Sequence, residues 1–408
     1  MNEWREVPLR DLVDVVVDNR GKTPPIVENG YELLEVNAIS QDKRTPDYSR
    51  VKKFVSGETY RSWFRKGHPL PGDILVPTVG TIGNVALVRE SRGAIAQNLV
   101  SLRFKGEVDS SYIYYFLSSS LGKDMMLNLD IGGVQPSIKV PHLLDMVISI
   151  PGYIEQKLIS SVLNSLDDKI DLLHRQNKTI ENIAETLFRN WFVEDVADAN
   201  SGKIGDLIED TFGGEWGSEY LDEYFDVPVC CIRGTDIADM QVGLPKKTPL
   251  RYVNRKKFDN IEPRNGDIIF EISGGTENQS TGRSIYINDD IKKLFQHKLV
   301  FSNFCRLLRP LKREYSYFIY LFLNYLYKKD EFFTLENGSS GIKNLNYKAL
   351  LFDSEYPMPN EEKILNFDES VFIYFKKINA NKQQIKVLEN LRDDLLPKLM
   401  SGEVRVLS

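Results

Sequence analysis

The feature that most constrains this chain is an apolar repeat in steps of four and three residues between Glu155 and Trp191: Ile159, Leu163, Leu166, Ile170, Leu173, Asn177, Ile180, Ala184, Leu187 and Trp191. That spacing keeps one stripe of a helix turned toward one partner, the pattern of a coiled-coil seam. A second helix with nearly the same seam lies 208 residues further on, at Phe367, Val371, Tyr374, Ile378, Asn381, Ile385, Leu388, Arg392, Leu395 and Leu399. The chain is therefore a tandem repeat.

The segments before each helix also echo one another. Thr45-Pro46 and Lys52-Lys53-Phe54 recur as Thr248-Pro249 and Lys256-Lys257-Phe258, and Gly72-Asp73-Ile74 recurs as Gly266-Asp267-Ile268. Gly133-Val134 recurs as Gly341-Ile342. The offset varies here while the helices keep one register, so insertions concentrate in the globular parts. Residues 1–150 read as a mixed α/β domain with a strand over 33–39, a helix over 110–121, and two strands, 74–76 and 84–88, joined by the glycine loop 78–83. The first long helix takes 151–193, a polar linker 195–202, a second globular domain 203–358 and the second long helix 359–408.

Helix one leaves the first globular domain and enters the second, so helix two must run back along it. The expected fold is α+β: two pseudo-repeated globular α/β domains separated by two long helices forming an antiparallel coiled coil. From Ile159 to Trp191 the seam covers roughly 48 Å at about 1.5 Å per residue. Facing seam residues in an antiparallel pair have a constant sum, and a sum of 558 sets Asn177 opposite Asn381 while Arg392 meets Leu166 and must send its head to solvent. Pro397 is a candidate end for the second helix.

With 42% hydrophobic residues the 408-residue chain can bury ordinary cores in two to four domains. No apolar run approaches the roughly 20 residues of a membrane span and the first residues lack signal-peptide blocks, so a cytoplasmic location without membrane contact is expected. Cys230, Cys231 and Cys305 match neither a disulfide framework nor a zinc spacing and read as buried thiols. The net charge of −6 sits largely on the first long helix and its exit, with −4 over 151–200 and neutrality over 1–150 and 359–408. Near-neutral globular parts leave room for a local basic face.

Two related domains on a spacer suit a long periodic ligand such as duplex DNA. The order globular, helix, globular, helix resembles the specificity subunit of type I restriction-modification enzymes over essentially the whole chain. So do Gly72-Asp73-Ile74-Leu75, Ile154-Glu155-Gln156-Lys157 opening helix one, Leu187-Phe188-Arg189-Asn190-Trp191-Phe192 closing it, and Leu395-Leu396-Pro397-Lys398-Leu399-Met400-Ser401-Gly402-Glu403. The resemblance implies two target recognition domains, each reading half of a split double-stranded DNA sequence, and helices that set the half-site distance and dock two methyltransferase (modification) subunits. It also implies that this chain is not an enzyme and binds no cofactor. S-adenosylmethionine, ATP and Mg would then belong to partner subunits, with restriction subunits joining in the full complex. The rival reading is a protein-binding coiled-coil scaffold with duplicated interaction domains.

The residues agree with a non-catalytic part. Adenine methylation needs Asp or Asn before Pro-Pro and an aromatic after it, and Thr23-Pro24-Pro25-Ile26 has neither. The four histidines are scattered, and Asp267 with Glu271 lacks the lysine of a nuclease site. Candidate phosphate contacts are Lys52, Lys53, Arg61 and Arg65, and Lys246, Lys247, Arg255, Lys256 and Lys257 in the second half. Candidate groove-facing residues are Thr81, Gln97, Gln135, Asn278, Gln279, Arg283, Lys343 and Asn344, whose donors and acceptors suit base edges.

Overall fold

A computed structural model describes residues 4–41, 43–195, 199–243, 248–276, 279–338 and 342–406. The chain forms two compact units, Met1–Asp168 with Glu389–Ser408, and Lys169–Leu388.

Unit one carries a four-stranded sheet in the spatial order Val13–Val17, Leu99–Phe104, Ile74–Pro77, Ala86–Leu87. Beside it stand Phe54–Val55, Tyr31–Leu34 and Ala94–Ile95, where Tyr31–Leu34 pairs antiparallel on one side and parallel on the other. Unit two repeats both sheets. Its four strands run Ile208–Gly213, Cys305–Pro310, Ile268–Glu271, Ser284–Tyr286, and its three run Leu250–Val253, Val227–Ile232, Lys298–Phe301, again with one antiparallel and one parallel pairing. Each unit also has a two-stranded ribbon, Arg5–Pro8 with Val147–Ile150 and Asn200–Gly202 with Tyr356–Met358. The second ribbon corrects the expected linker: of 195–202, residues 196–198 lie outside the described residues, and 200–202 are a paired strand.

Local chemistry sets the other boundaries. The strand expected over 33–39 is Tyr31–Leu34, because Val36–Ala38 turns into a 3₁₀ helix. The aromatic helix is Ser110–Ser118, capped by Asp109; Ser119 then leaves the helix and caps a separate one, Ser120–Leu127. All three cysteines are free and buried.

The long helices are Tyr153–Arg189 and Glu361–Ser401, the first continuing into a π-helical turn at Asn190–Glu194. Pro397 lies inside the second helix and does not end it. The seam serves the core of each unit. In unit one, Ile159, Leu163, Leu399 and Met400 join the core built on Ile74, Leu102, Tyr112 and Phe116. In unit two, Phe188, Phe192, Phe367 and Val371 join Phe270, Phe318 and Phe322, and Ile170, Leu173, Ile385 and Leu388 form a smaller cluster.

Within unit two, Asn177 meets Asn381 at 2.8 Å and the Trp191 ring lies 5.7 Å from Phe367, so numbers rise on one helix as they fall on the other. The pairing is antiparallel with a sum of 558. Arg392 departs from expectation. Its head does not go to solvent; Nη1 donates to Asp167 at 3.0 Å, because a carboxylate stands next to Leu166.

Candidate nucleic-acid interface

The recurring Gly-Asp-Ile has a structural cause. Gly72 (φ +94°) and Gly266 (φ +102°) turn the chain in a conformation that favours glycine, and each backbone N–H donates to the neighbouring strand, at Val88 and Ile287. The aspartates that follow are buried and each takes a two-pronged arginine. Arg103 donates Nε and Nη2 to Asp73 at 2.9 Å each, and Arg309 donates the same atoms to Asp267 at 3.1 and 2.8 Å. Glu271 is likewise buried and receives Nε and Nη2 of Arg283 at 2.8 and 2.5 Å. The carboxylates that echoed a nuclease pair are thus engaged in separate ion pairs, and among the described residues no group of three or more His, Cys, Asp or Glu could hold a metal.

Above these pairs each domain brings two distant loops together. In domain one Val79 bridges to Ser137, Gly80 N–H donates to the Pro136 carbonyl at 2.9 Å, and Ile138 N–H donates to Thr78. This sets exposed Thr81 beside the loop of exposed Gln135, whose base is tied by Asp130 accepting from Gly132 and Ser137 N–H. In domain two Ser273 pairs with Asn344 and Gly274 with Lys343, and Leu345 N–H donates to the Ile272 carbonyl. Matching ladders align Ser137 with Asn344 and Ile138 with Leu345, so the offset here is 207; Gly341 of the expected Gly341-Ile342 repeat lies outside the described residues. Domain one therefore presents a loop pair with Thr81 and Gln135 at its rim, and domain two one with Lys343 and Asn344. Such groups can address base edges or phosphates.

Residues 1–182 and 195–390 match the type I restriction modification DNA specificity domain. The chain belongs to this family. It is 26% identical to the type I restriction enzyme MjaIX specificity subunit of Methanocaldococcus jannaschii, over 99% of this chain and 94% of that one. The MjaVIII specificity subunit of the same organism is 26% identical over 44% of this chain and 43% of its own. A crystal structure of the S subunit of a type I restriction-modification system from M. genitalium shares the fold, with a TM-score of 0.53, 17% identity, and coverage of 98% of this chain and 96% of that one.

In this specificity subunit the expected DNA-facing residues divide into groups. Lys52, Arg61 and Arg65 are exposed in domain one; Lys53 is exposed too but pairs with Glu35 at 2.7 Å. Arg255, Lys256 and Lys257 form the first turn of the helix Arg255–Ile261, capped by Asn254, with Arg255 loosely paired to Asp226 at 3.8 Å. Lys246, Lys247 and Asn278 lie outside the described residues. The apparent repeat of Lys-Lys-Phe does not hold in three dimensions. Phe54 is in a strand and Phe258 is in a helix, and the structural match is Val55 with Val253, both fully buried before a helix cap at Ser56 or Asn254. A three-residue likeness arises easily by chance, whereas burial on a sheet fixes the true register.

Arg283 is held differently. The Glu271 carboxylate takes its fork and holds the guanidinium above its usual range, so the side chain braces the loop. Lys343 is half-buried and pairs with Glu336 at 3.0 Å, exposed Asn344 accepts from the Ser273 hydroxyl, and Gln279 donates to the Tyr327 hydroxyl at 3.1 Å. Gln97, strained at φ +45°, donates to Thr23 at 2.6 Å. Sequence reasoning missed the ring ladder of Tyr31, Tyr60 and His68 beside Arg61, because these aromatics are spread over 38 positions without a period.

Among the described residues no helix is long and apolar enough to cross a membrane.

Proposed function

We propose that the chain is the DNA-reading, non-catalytic subunit of a cytoplasmic complex, in which each α/β domain reads one half of a bipartite duplex target through its loop pair. The observation that carries this reading is the duplication: two sheets in the same strand order and two loops joined by the same ladder occur in both domains, with polar groups at the rim. Exposed Lys52, Arg61 and Arg65, and Arg255 and Lys256 in the second domain, are suited to the phosphates on either side. The helix pair sets the half-site spacing, and the Asn177–Asn381 contact selects its register.

Two methyltransferase subunits dock on the helices. Support comes from apolar side chains that face solvent there, among them Ile154 (72% exposed), Ile373 (65%), Val387 (65%) and Phe372 (45%), of which Phe372 and Ile373 are adjacent. S-adenosylmethionine, ATP and Mg act in those partners and in the restriction subunits. The test is to sequence methylated adenines in cells carrying this chain with a methyltransferase subunit, alongside a variant with four residues inserted into one heptad of each helix. A split target whose spacing changes while its bases persist supports the reading. A contiguous target, or methylation by the purified chain alone, overturns it.

A further inference from the structure

We propose that the exposed face of Tyr31 is a stacking platform for an unpaired nucleobase. The Tyr31 ring lies on the Tyr60 ring with centroids 4.1 Å apart and planes 16° apart, and Tyr60 lies on His68 at 3.8 Å and 3°. The inner end is anchored: Phe64 is buried against both Tyr60 and His68, and a His68 ring nitrogen is 2.8 Å from the Tyr60 carbonyl. Tyr60 covers one face of Tyr31, yet Tyr31 is 44% exposed, so its other face is open.

A cation stands at the edge of the same ring. A Cβ added at Gly57 would lie 3.6 and 3.7 Å from the two terminal nitrogens of Arg61 and 3.7 Å from Tyr31 Cε2, which shows that the guanidinium and the ring edge share the space above this glycine. Lys52, Arg65 and Lys66 are exposed on the same segment, against exposed Glu28 and Glu58; of the other acids nearby, Glu32, Glu35 and Asp18 are engaged by Arg92, Lys53 and Arg20. A stacked π face beside an exposed guanidinium, with positive charge in excess, is the combination that holds single-stranded nucleic acid. A base inside a duplex offers only its edges, because its faces are stacked on neighbours. Only a base turned out of the helix, or one in a single strand, can use this platform. In domain two the corresponding sheet carries no exposed ladder among the described residues; Phe258 there is buried under Lys298.

This inference rests on the nucleic-acid reading above and adds a ligand state that the groove loops do not address. The full-length chain is titrated with a single strand containing 2-aminopurine and, separately, with duplex DNA at several salt concentrations. The expected result is quenching of 2-aminopurine on binding, lost in Tyr31→Leu together with about tenfold of single-strand affinity and kept in Tyr31→Trp, while duplex binding is the same in all three. Equal quenching and affinity in Tyr31→Leu overturn the proposal, as does absent quenching in a wild-type chain that binds duplex with normal salt dependence. If neither form of DNA binds, the nucleic-acid reading itself falls.

Discussion

Asn381 Nδ2 donates to Asn177 Oδ1 at 2.8 Å in the middle of a largely apolar seam. The two amides find each other only in this register, since a shift by one heptad would set Asn381 against Ile170 or Ala184 and Asn177 against Tyr374 or Leu388. Nδ2 of Asn177 stays buried without an acceptor, so the pair is costly as well as selective.

Replacing one asparagine, as in Asn177→Leu, strands the other and is expected to cost about 1–3 kcal/mol. The double change Asn177→Leu with Asn381→Leu should regain most of this, since two leucines pack without any unpaired amide. Denaturant unfolding of the four forms measures the coupling. Additive losses would show that the two amides act independently.

The Asp–Arg pairs predict stability effects in place of catalytic ones. Asp267→Ala leaves the Arg309 guanidinium buried without its counter-charge, with an expected loss of about 3–5 kcal/mol, and Asp73→Ala should act in the same direction through Arg103. Arg103 is the more solvent-exposed of the two arginines, so the Asp73 effect should be the smaller. Thermal unfolding checks the order.

Lys382 predicts a pH dependence. It is buried, donates to the Met240 carbonyl at 2.6 Å and faces Glu181, and burial pulls its ammonium down to about 8 despite that carboxylate. A lysine whose folded value lies below the unfolded one holds fewer protons in the folded state between the two values, so this group makes stability rise with pH from about 8 to about 10.5. The gain is at most about 3 kcal/mol. Unfolding of wild type and Lys382→Met at pH 7.5 and 10 isolates it: the variant should lack this part of the rise.

Exposed and internal arginines should separate cleanly in DNA binding. Replacing Arg61, Arg65, Arg255 and Lys256 together is expected to weaken all sequences alike and to flatten the salt slope by up to about 0.9 for each phosphate that is no longer neutralised. Arg283→Ala should instead lower stability, through an unpaired buried Glu271, and leave the salt slope unchanged. Filter binding over a salt series, with a melting curve for each variant, decides.

What the sequence determined by itself is the part of the fold that is periodic. The seam positions from Ile159 to Trp191 and from Phe367 to Leu399 lie on one chain in fixed steps, so helix and duplication follow from spacing, the antiparallel sense from the order of helices and domains, and the meeting of Asn177 with Asn381 from the two together. What only the tertiary structure decided depends on partners with no fixed separation. Arg103 and Arg309 reach the aspartates of the Gly-Asp-Ile turns from 30 and 42 residues away, Glu271 takes Arg283, and Asp167 captures Arg392 from 225 residues away. Sequence shows that these side chains carry charge. Which charges remain for a ligand is set by sheet pairing and burial, because a carboxylate removed from water binds the nearest guanidinium that the strands deliver. The same holds for Lys52-Lys53-Phe54, which looks like Lys256-Lys257-Phe258 as a string and differs from it in the fold, where a strand's alternating faces and a helix's cap give equal letters unequal places.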